Sequence, residues 1–161
     1  MLAVELERYM HAHIPLSKAM AIAVASIESD AVVLTAPLEP NTNHRDTVFA
    51  GSASAVAILA GWSLVHVRLR AEGIGNRLVL QRNSMEYLKP IAGQFTARSS
   101  LEQPERWRQF SAMLIRKGRA RVGVLAVLEQ AGQLVGKFAG DFVALAENNA
   151  QDLSRKRPSS P

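Results

Sequence analysis

Cysteine is absent from the 161-residue chain, which excludes disulfides, thiolate metal ligands and a cysteine nucleophile. Nothing in the chain calls for an oxidising compartment, and a cytoplasmic location is the expectation. A secretion signal is also missing, because "MLAVELERYMHAHIPL" carries Glu5 and Glu7 where a basic start and an apolar core would stand. No run of basic residues interleaved with aromatics occurs, so nucleic acid is not an expected partner. Internal repeats are lacking as well.

What is present describes a folded domain. Hydrophobic residues make up 48% and charged residues 20% of the chain, far from the balance of intrinsic disorder. The length suits one hydrophobic core, and a single domain is expected over 1–147. The tail 148–161, with "QDLSRKRPSSP" and its Arg155, Lys156 and Arg157, is polar, basic and proline-bearing, and is expected to be disordered. The formal net charge of +5, part of it in this tail, points to an acidic partner.

The apolar spacing of Leu6, Tyr9, Met10 and His13 predicts a short helix ending before Pro15. His11 and His13, two residues apart, point to different helix faces and are read as packing or surface residues, with no metal site expected. "IPLSKAMAIAV" starts as another turn of helix, and "AIAVASIESDAVVLTAPL" reads as two strands pivoting on "ESD". From Gly51 to Glu72 the sequence "GSASAVAILAGWSLVHVRLRAE" predicts a long helix, apolar almost all round, with a glycine stop. The uncharged run Thr47–Val67 has the length of a membrane span. Its serines, glycines and alanines favour instead a helix closely wrapped by a sheet, and no membrane span is expected.

Extended segments follow in "RLVLQRNSMEYLKPI", "GQFTARSSLE", "GRARVGVLAVLEQ" and "GQLVGKFAGDFVAL", the last two joined by "QAGQ". Between them "PERWRQFSAMLIRK" predicts a helix starting at Pro104 with Trp107, Phe110, Met113 and Leu114 on one face. Strands joined by short turns form an antiparallel sheet, and an apolar helix has to be covered by it, which gives an α+β fold.

Four blocks together, "LERYMHAHIPLSKAM", "NTNHRDTVFAGS", "LAGWSLV" and "YLKPIAGQFTA", resemble the thioesterase-like hotdog family that also occurs as the C-terminal half of YiiD-type proteins. The resemblance runs from Leu6 to Leu145. It implies a hotdog fold, a curved antiparallel β-sheet wrapped around a long central α-helix, assembled as a homodimer or a dimer of dimers with sites at the subunit interface. It also implies acyl substrates carried as thioesters of coenzyme A or acyl carrier protein. No cofactor is expected beyond the phosphopantetheine that such a substrate brings.

Hotdog thioesterases usually place an Asp or Glu either along the central helix or in the preceding loop, in a pattern like DxxGxVF. Against that pattern this chain reads "NHRDTVF", with Asn43 at the acid's position and Asp46 at the glycine's. An amide can donate to a carbonyl or enolate oxygen but cannot take a proton near neutral pH. Asn43, with the N–H groups near Gly51 and Ser52 at a helix start, therefore suits polarisation of a thioester oxygen. Decarboxylation of a malonyl thioester, which leaves a thioester enolate, is such a reaction, and YiiD-type proteins are associated with it in the start of fatty-acid synthesis. His44 is a second candidate for enolate reprotonation.

Phe49, Ala50 and Trp62 are assigned to substrate contact, and Asn41 and Thr47 either to substrate contact or to shaping the loop by side-chain to backbone bonds. Arg45, Arg82 and Lys89 are assigned either to the carrier or coenzyme A phosphates or to ordinary solvated surface. Thioester hydrolysis is the alternative, with Asp46 or Glu86 as base; Asp46 can instead cap the helix and Glu86 pair with a strand neighbour. Ser52 and Ser54 have no His–Asp partners legible in sequence and are read as helix-start hydrogen-bonding groups. A non-catalytic acyl-binding module is the third possibility.

Overall fold

A computed structural model describes residues 1–146; the expected disorder of 148–161 lies outside them. Two short helices, α1 (Ala3–His13) and α2 (Pro15–Ala19), lead into the hairpin β1 (Ala23–Ile27) and β2 (Ala31–Ala36). The long helix α3 (Ala50–Ala71) follows, then β3 (Asn76–Tyr87), β4 (Phe95–Leu101), α4 (Trp107–Lys117), β5 (Arg119–Gln130) and β6 (Gln133–Ala146). The six strands form one sheet in the order β1-β2-β4-β5-β6-β3, and every neighbouring pair is antiparallel. This is the α+β arrangement expected from sequence, with an antiparallel sheet around one helix.

The absence of a polar stripe on α3 has a direct cause in packing. Val56, Ala57, Ala60, Val65 and Leu69 are each 0% exposed, and the helix packs against β2, β3, β4, β5 and β6. Each fully buried Val or Leu contributes about 1.5–3 kcal/mol. Small residues set the approach distance: a Cβ at Gly61 would lie 3.0 Å from the Phe142 ring and 3.2 Å from Val124. By length and composition α3 is apolar enough to cross a bilayer, with a mean hydropathy of 1.5, yet 56% of that window is buried inside the protein. It is the core helix. Gly73, at φ 69°, ends it, with the Ile74 N–H donating back to the Leu69 carbonyl.

Some boundaries differ from those read in sequence. Strand β3 stops at Tyr87, not at Ile91, because Leu88 and Lys89 both turn their N–H groups onto the Val135 carbonyl and Pro90 has none to offer. The segment at Pro104 begins as a 3₁₀ turn, Pro104–Arg106, and becomes α-helical at Trp107. On α4 the residues Trp107, Phe110 and Leu114 are buried, but Met113 is 39% exposed and leaves the expected face. The "QAGQ" connection is a two-residue hairpin turn with Ala131 and Gly132 both at positive φ, the type I′ geometry that matches strand twist.

Candidate active site

The approach to α3 is a small β-turn built by Asn43. Thr42 bridges to Val48, the Asn43 N–H donates to the Thr47 carbonyl at 2.8 Å and the Phe49 N–H to the Asn41 carbonyl at 2.7 Å. Inside this frame Asn43 Oδ1 accepts the Arg45 N–H at 2.8 Å, and Nδ2 donates to Thr47 Oγ1 at 3.0 Å. Such side-chain to backbone bonding is what makes Asn a turn former. Asp46 has φ 57°, a left-handed conformation that Asp tolerates better than most residues. The position where the hotdog pattern carries glycine is thus one that needs positive φ.

Asp46 does not cap the helix. The N-cap of α3 is Phe49, and no side chain bonds the first turn. The Ser52 and Ala53 N–H groups return to the Phe49 carbonyl, which leaves Ala50 and Gly51 N–H without a protein acceptor among the described residues. Tyr87 Oη, at the end of β3, donates to the Ala50 carbonyl at 3.2 Å and ties strand to helix.

Between these pieces lies a cavity of about 340 Å³, lined by Asn43, Thr47, Val48, Ala50, Ala53, Met85, Tyr87, Leu88, Lys89, Pro90, Ile91, Leu128 and Val135. The lining is mostly apolar, as small-molecule sites commonly are, with Asn43, Thr47, Tyr87 and Lys89 as its polar side chains. No Asp, Glu or His is in this wall. Lys89 is its only charged residue, and its Nζ donates to Gln133 Oε1 at 3.4 Å.

The structure brings Asn43, Thr47, Ala50 and Lys89 together and leaves the other sequence candidates outside the wall. Gly51 is exposed beside it, and Ser52 is engaged through its backbone with Phe49. Phe49 is 56% exposed. His44, Arg45 and Asp46 stand exposed at the turn, where Arg45 Nε donates to His44 Nε2 at 3.4 Å. Asn41 is 1% exposed and its Nδ2 holds the carbonyls of Met20, at 3.0 Å, and Pro37, at 2.8 Å.

Trp62 is about 18 Å along α3 from Ala50 and stacks on His66 with ring centroids 4.5 Å apart. Arg82 pairs with Asp141 at 2.6 Å beside a separate depression. Glu86 faces away from Met85 and Tyr87, as strand alternation requires; its cross-strand neighbour is Lys137. Among the described residues no cluster of three potential metal ligands occurs.

Sequence reasoning missed most of the apolar wall: Met85, Leu88, Pro90, Ile91, Leu128 and Val135. The alternation of Met85 and Tyr87 about Glu86 was the one signal available for it.

Solved structures share the architecture. A Chlorobaculum tepidum protein of unknown function is 29% identical, with a TM-score of 0.84 over 90% of this chain and 94% of its own. A Shewanella oneidensis protein described as a "putative thioesterase" is 26% identical, with a TM-score of 0.80 over 89% and 96%. A Haemophilus influenzae thioesterase shares the hotdog fold at 13% identity, with a TM-score of 0.74 over 91% and 92%. The family model described as "Putative thioesterase (yiiD_Cterm)" matches residues 3–146, nearly the whole chain, and the protein belongs to this YiiD_C family of hotdog-type, thioesterase-like domains.

Proposed function

We propose that this protein decarboxylates a malonyl thioester, carried by acyl carrier protein or coenzyme A, to the acetyl thioester. The observation that carries this reading is the composition of the cavity wall, with the Asn43 amide, the Thr47 hydroxyl, the Lys89 ammonium and apolar side chains and neither carboxylate nor imidazole among its lining residues, next to the free Ala50 and Gly51 N–H groups of the helix start. Such a wall suits a reaction that needs an oxygen polarised and no base. The C–C bond to the malonyl carboxylate breaks and its electron pair moves into the thioester as an enolate. Carbon dioxide leaves, and the enolate carbon takes a proton from solvent. Asn43 Nδ2 and the Ala50 and Gly51 N–H groups are the donors for the enolate oxygen. Removal of one such donor typically costs ~10²–10³ in rate.

The outer edge of β3, twelve residues long, has no strand partner among the described residues of one copy. Pairing with a second copy would cover it, and the homodimer is part of the proposal; sedimentation of the intact chain at twice the monomer mass is the expected result. Arg45 and Lys89, at and beside the cavity, suit phosphates of the carrier or coenzyme A. A cytoplasmic setting fits the cysteine-free chain.

Thioester hydrolysis is the second reading, favoured by the family's description. Incubation with malonyl and saturated acyl thioesters separates the two. Carbon dioxide and acetyl thioester without free thiol are expected. Thiol release from saturated acyl thioesters without carbon dioxide would establish hydrolysis instead, and binding with neither product would leave an acyl-binding module.

A further inference from the structure

The net charge of the described residues is confined to one end of the molecule. Residues 1–146 contain sixteen Lys and Arg and twelve Asp and Glu, of which six and two respectively lie between Glu102 and Arg121. That leaves ten of each sign everywhere else. The six are Arg106, Arg108, Arg116, Lys117, Arg119 and Arg121, all exposed. Neither ion pair among the described residues involves any of them. Arg106 and Arg121 share a depression with Glu102, and the remaining cations of the segment are Arg108, Arg116, Lys117 and Arg119, against the one further carboxylate Glu105.

Along α4 Ile115 is 70% exposed, with Arg108 two turns earlier on the same side of the helix and Arg116, Lys117 and Arg119 close after it in sequence, while Met113, 39% exposed, lies on the opposite flank. The inner face is committed elsewhere. Trp107, Phe110 and Leu114 are buried, Trp107 Nε1 donates to the Glu72 carboxylate, and Arg68 lies 4.6 Å over the Trp107 ring. The apolar face of α4 is thus satisfied inside, and the exposed surface carries a cluster of cations with Ile115 among them in sequence. A basic cluster of this kind is attracted to anionic lipid.

We propose that α4 docks this protein peripherally on an anionic bilayer surface. Trp107 and Phe110 of α4 are turned inward, so this helix presents no aromatic anchor of the kind that dominates protein hot spots. The patch also lies away from the acyl cavity. Helix α4 feeds β5 at Arg119, whereas Leu128 in the cavity wall is nine residues further along the strand, about 30 Å away. Docking by α4 leaves the cavity mouth unobstructed and does not depend on which reaction occurs there.

Co-sedimentation of the full chain with vesicles tests this. Binding is expected to equimolar phosphatidylglycerol and phosphatidylcholine, not to phosphatidylcholine alone, and to fall steeply with added salt. The combined variant Arg108→Gln, Arg116→Gln, Lys117→Gln is expected to lose roughly a hundredfold in partitioning, at about fivefold per cation. Ile115→Ser is expected to weaken binding severalfold with an unchanged thermal midpoint, because Ile115 is already exposed. The variant Arg155→Gln, Lys156→Gln, Arg157→Gln is expected to bind as the parent does. Absence of binding to the anionic vesicles, undiminished binding of the α4 variant, or loss confined to the tail variant would each overturn the proposal. So would capture by an acidic polypeptide with none by vesicles.

Discussion

The Asn43 carboxamide and the Thr47 hydroxyl meet across the turn before α3, with Nδ2 3.0 Å from Oγ1, and both residues line the acyl cavity. Asn43 therefore holds the loop and faces the cavity with the same side chain.

Substitutions can part these two duties. Asn43→Ala is expected to lower activity by ~10²–10³ and stability by ~1 kcal/mol. Thr47→Val frees Nδ2 from its hydroxyl partner and is expected to keep most of the activity. Asn43→Asp still accepts from the Arg45 N–H but loses the donor; carbon dioxide release is expected to fall while a carboxylate able to activate water brings thiol release. Full decarboxylase activity in a folded Asn43→Ala variant would remove this residue from the mechanism.

At Asp46 the backbone supplies the reason for the residue. Asp46→Gly and Asp46→Asn, which both accept a φ of 57°, are expected to stay within ~1 kcal/mol of the parent and to remain active. Asp46→Val is expected to lose ~1–2 kcal/mol, the cost of a left-handed conformation in a branched residue. Loss of turnover in the Asn variant at unchanged stability would identify Asp46 as the base of a hydrolase.

His66 gives the fold a pH dependence. It is 5% exposed, stacked on Trp62 and Tyr9, and its Nε2 has no hydrogen-bond partner among the described residues. Burial first, then the charges of Arg70 and His13, lower its pKa from 6.5 to about 4. Between these values the unfolded chain binds more protons than the folded one, so stability rises with pH across this window and is fully present above it. Thermal melts are expected to show a loss of ~2–3 kcal/mol as pH falls from 6.5 to 4. His66→Phe should flatten that slope; an identical slope in the variant would place its origin elsewhere.

Gly61→Ala tests the closeness of helix and sheet. The added methyl group meets Phe142 and Val124, and overpacking is expected to cost ~1–3 kcal/mol. Chemical denaturation measures it, and a neutral result would show that the Phe142 ring has room to move.

The helices and the β5–β6 hairpin were legible because local spacing carries them. Period 3.6 marks α1 and α4, a long uninterrupted run of apolar and small residues marks α3, and glycine ends α3 and α4 where φ turns positive. The acyl cavity was only half legible. Its polar side, Asn43 to Ala53, is one continuous stretch, whereas its apolar side combines Met85 to Ile91 with Leu128 and Val135, which only the sheet order makes neighbours. The position of Trp62 was hidden for a related reason. On a helix apolar all round, sequence does not say which face meets α1, and it is Tyr9 of α1 that stacks against Trp62 and His66.

Helix α3 also constrains how the protein is made. It is a 22-residue helix whose most apolar 18-residue window has a mean hydropathy of 1.5, and four of the six strands in its sheet, β3 to β6, come after it in the chain. Synthesis from the N-terminus exposes this helix before most of its cover exists. During that interval the nascent chain displays a segment that a chaperone or a membrane-insertion machine would treat as unfinished or as its own cargo. The speed with which β3–β6 close over α3 governs the yield of folded protein, and chains truncated before β3 will aggregate.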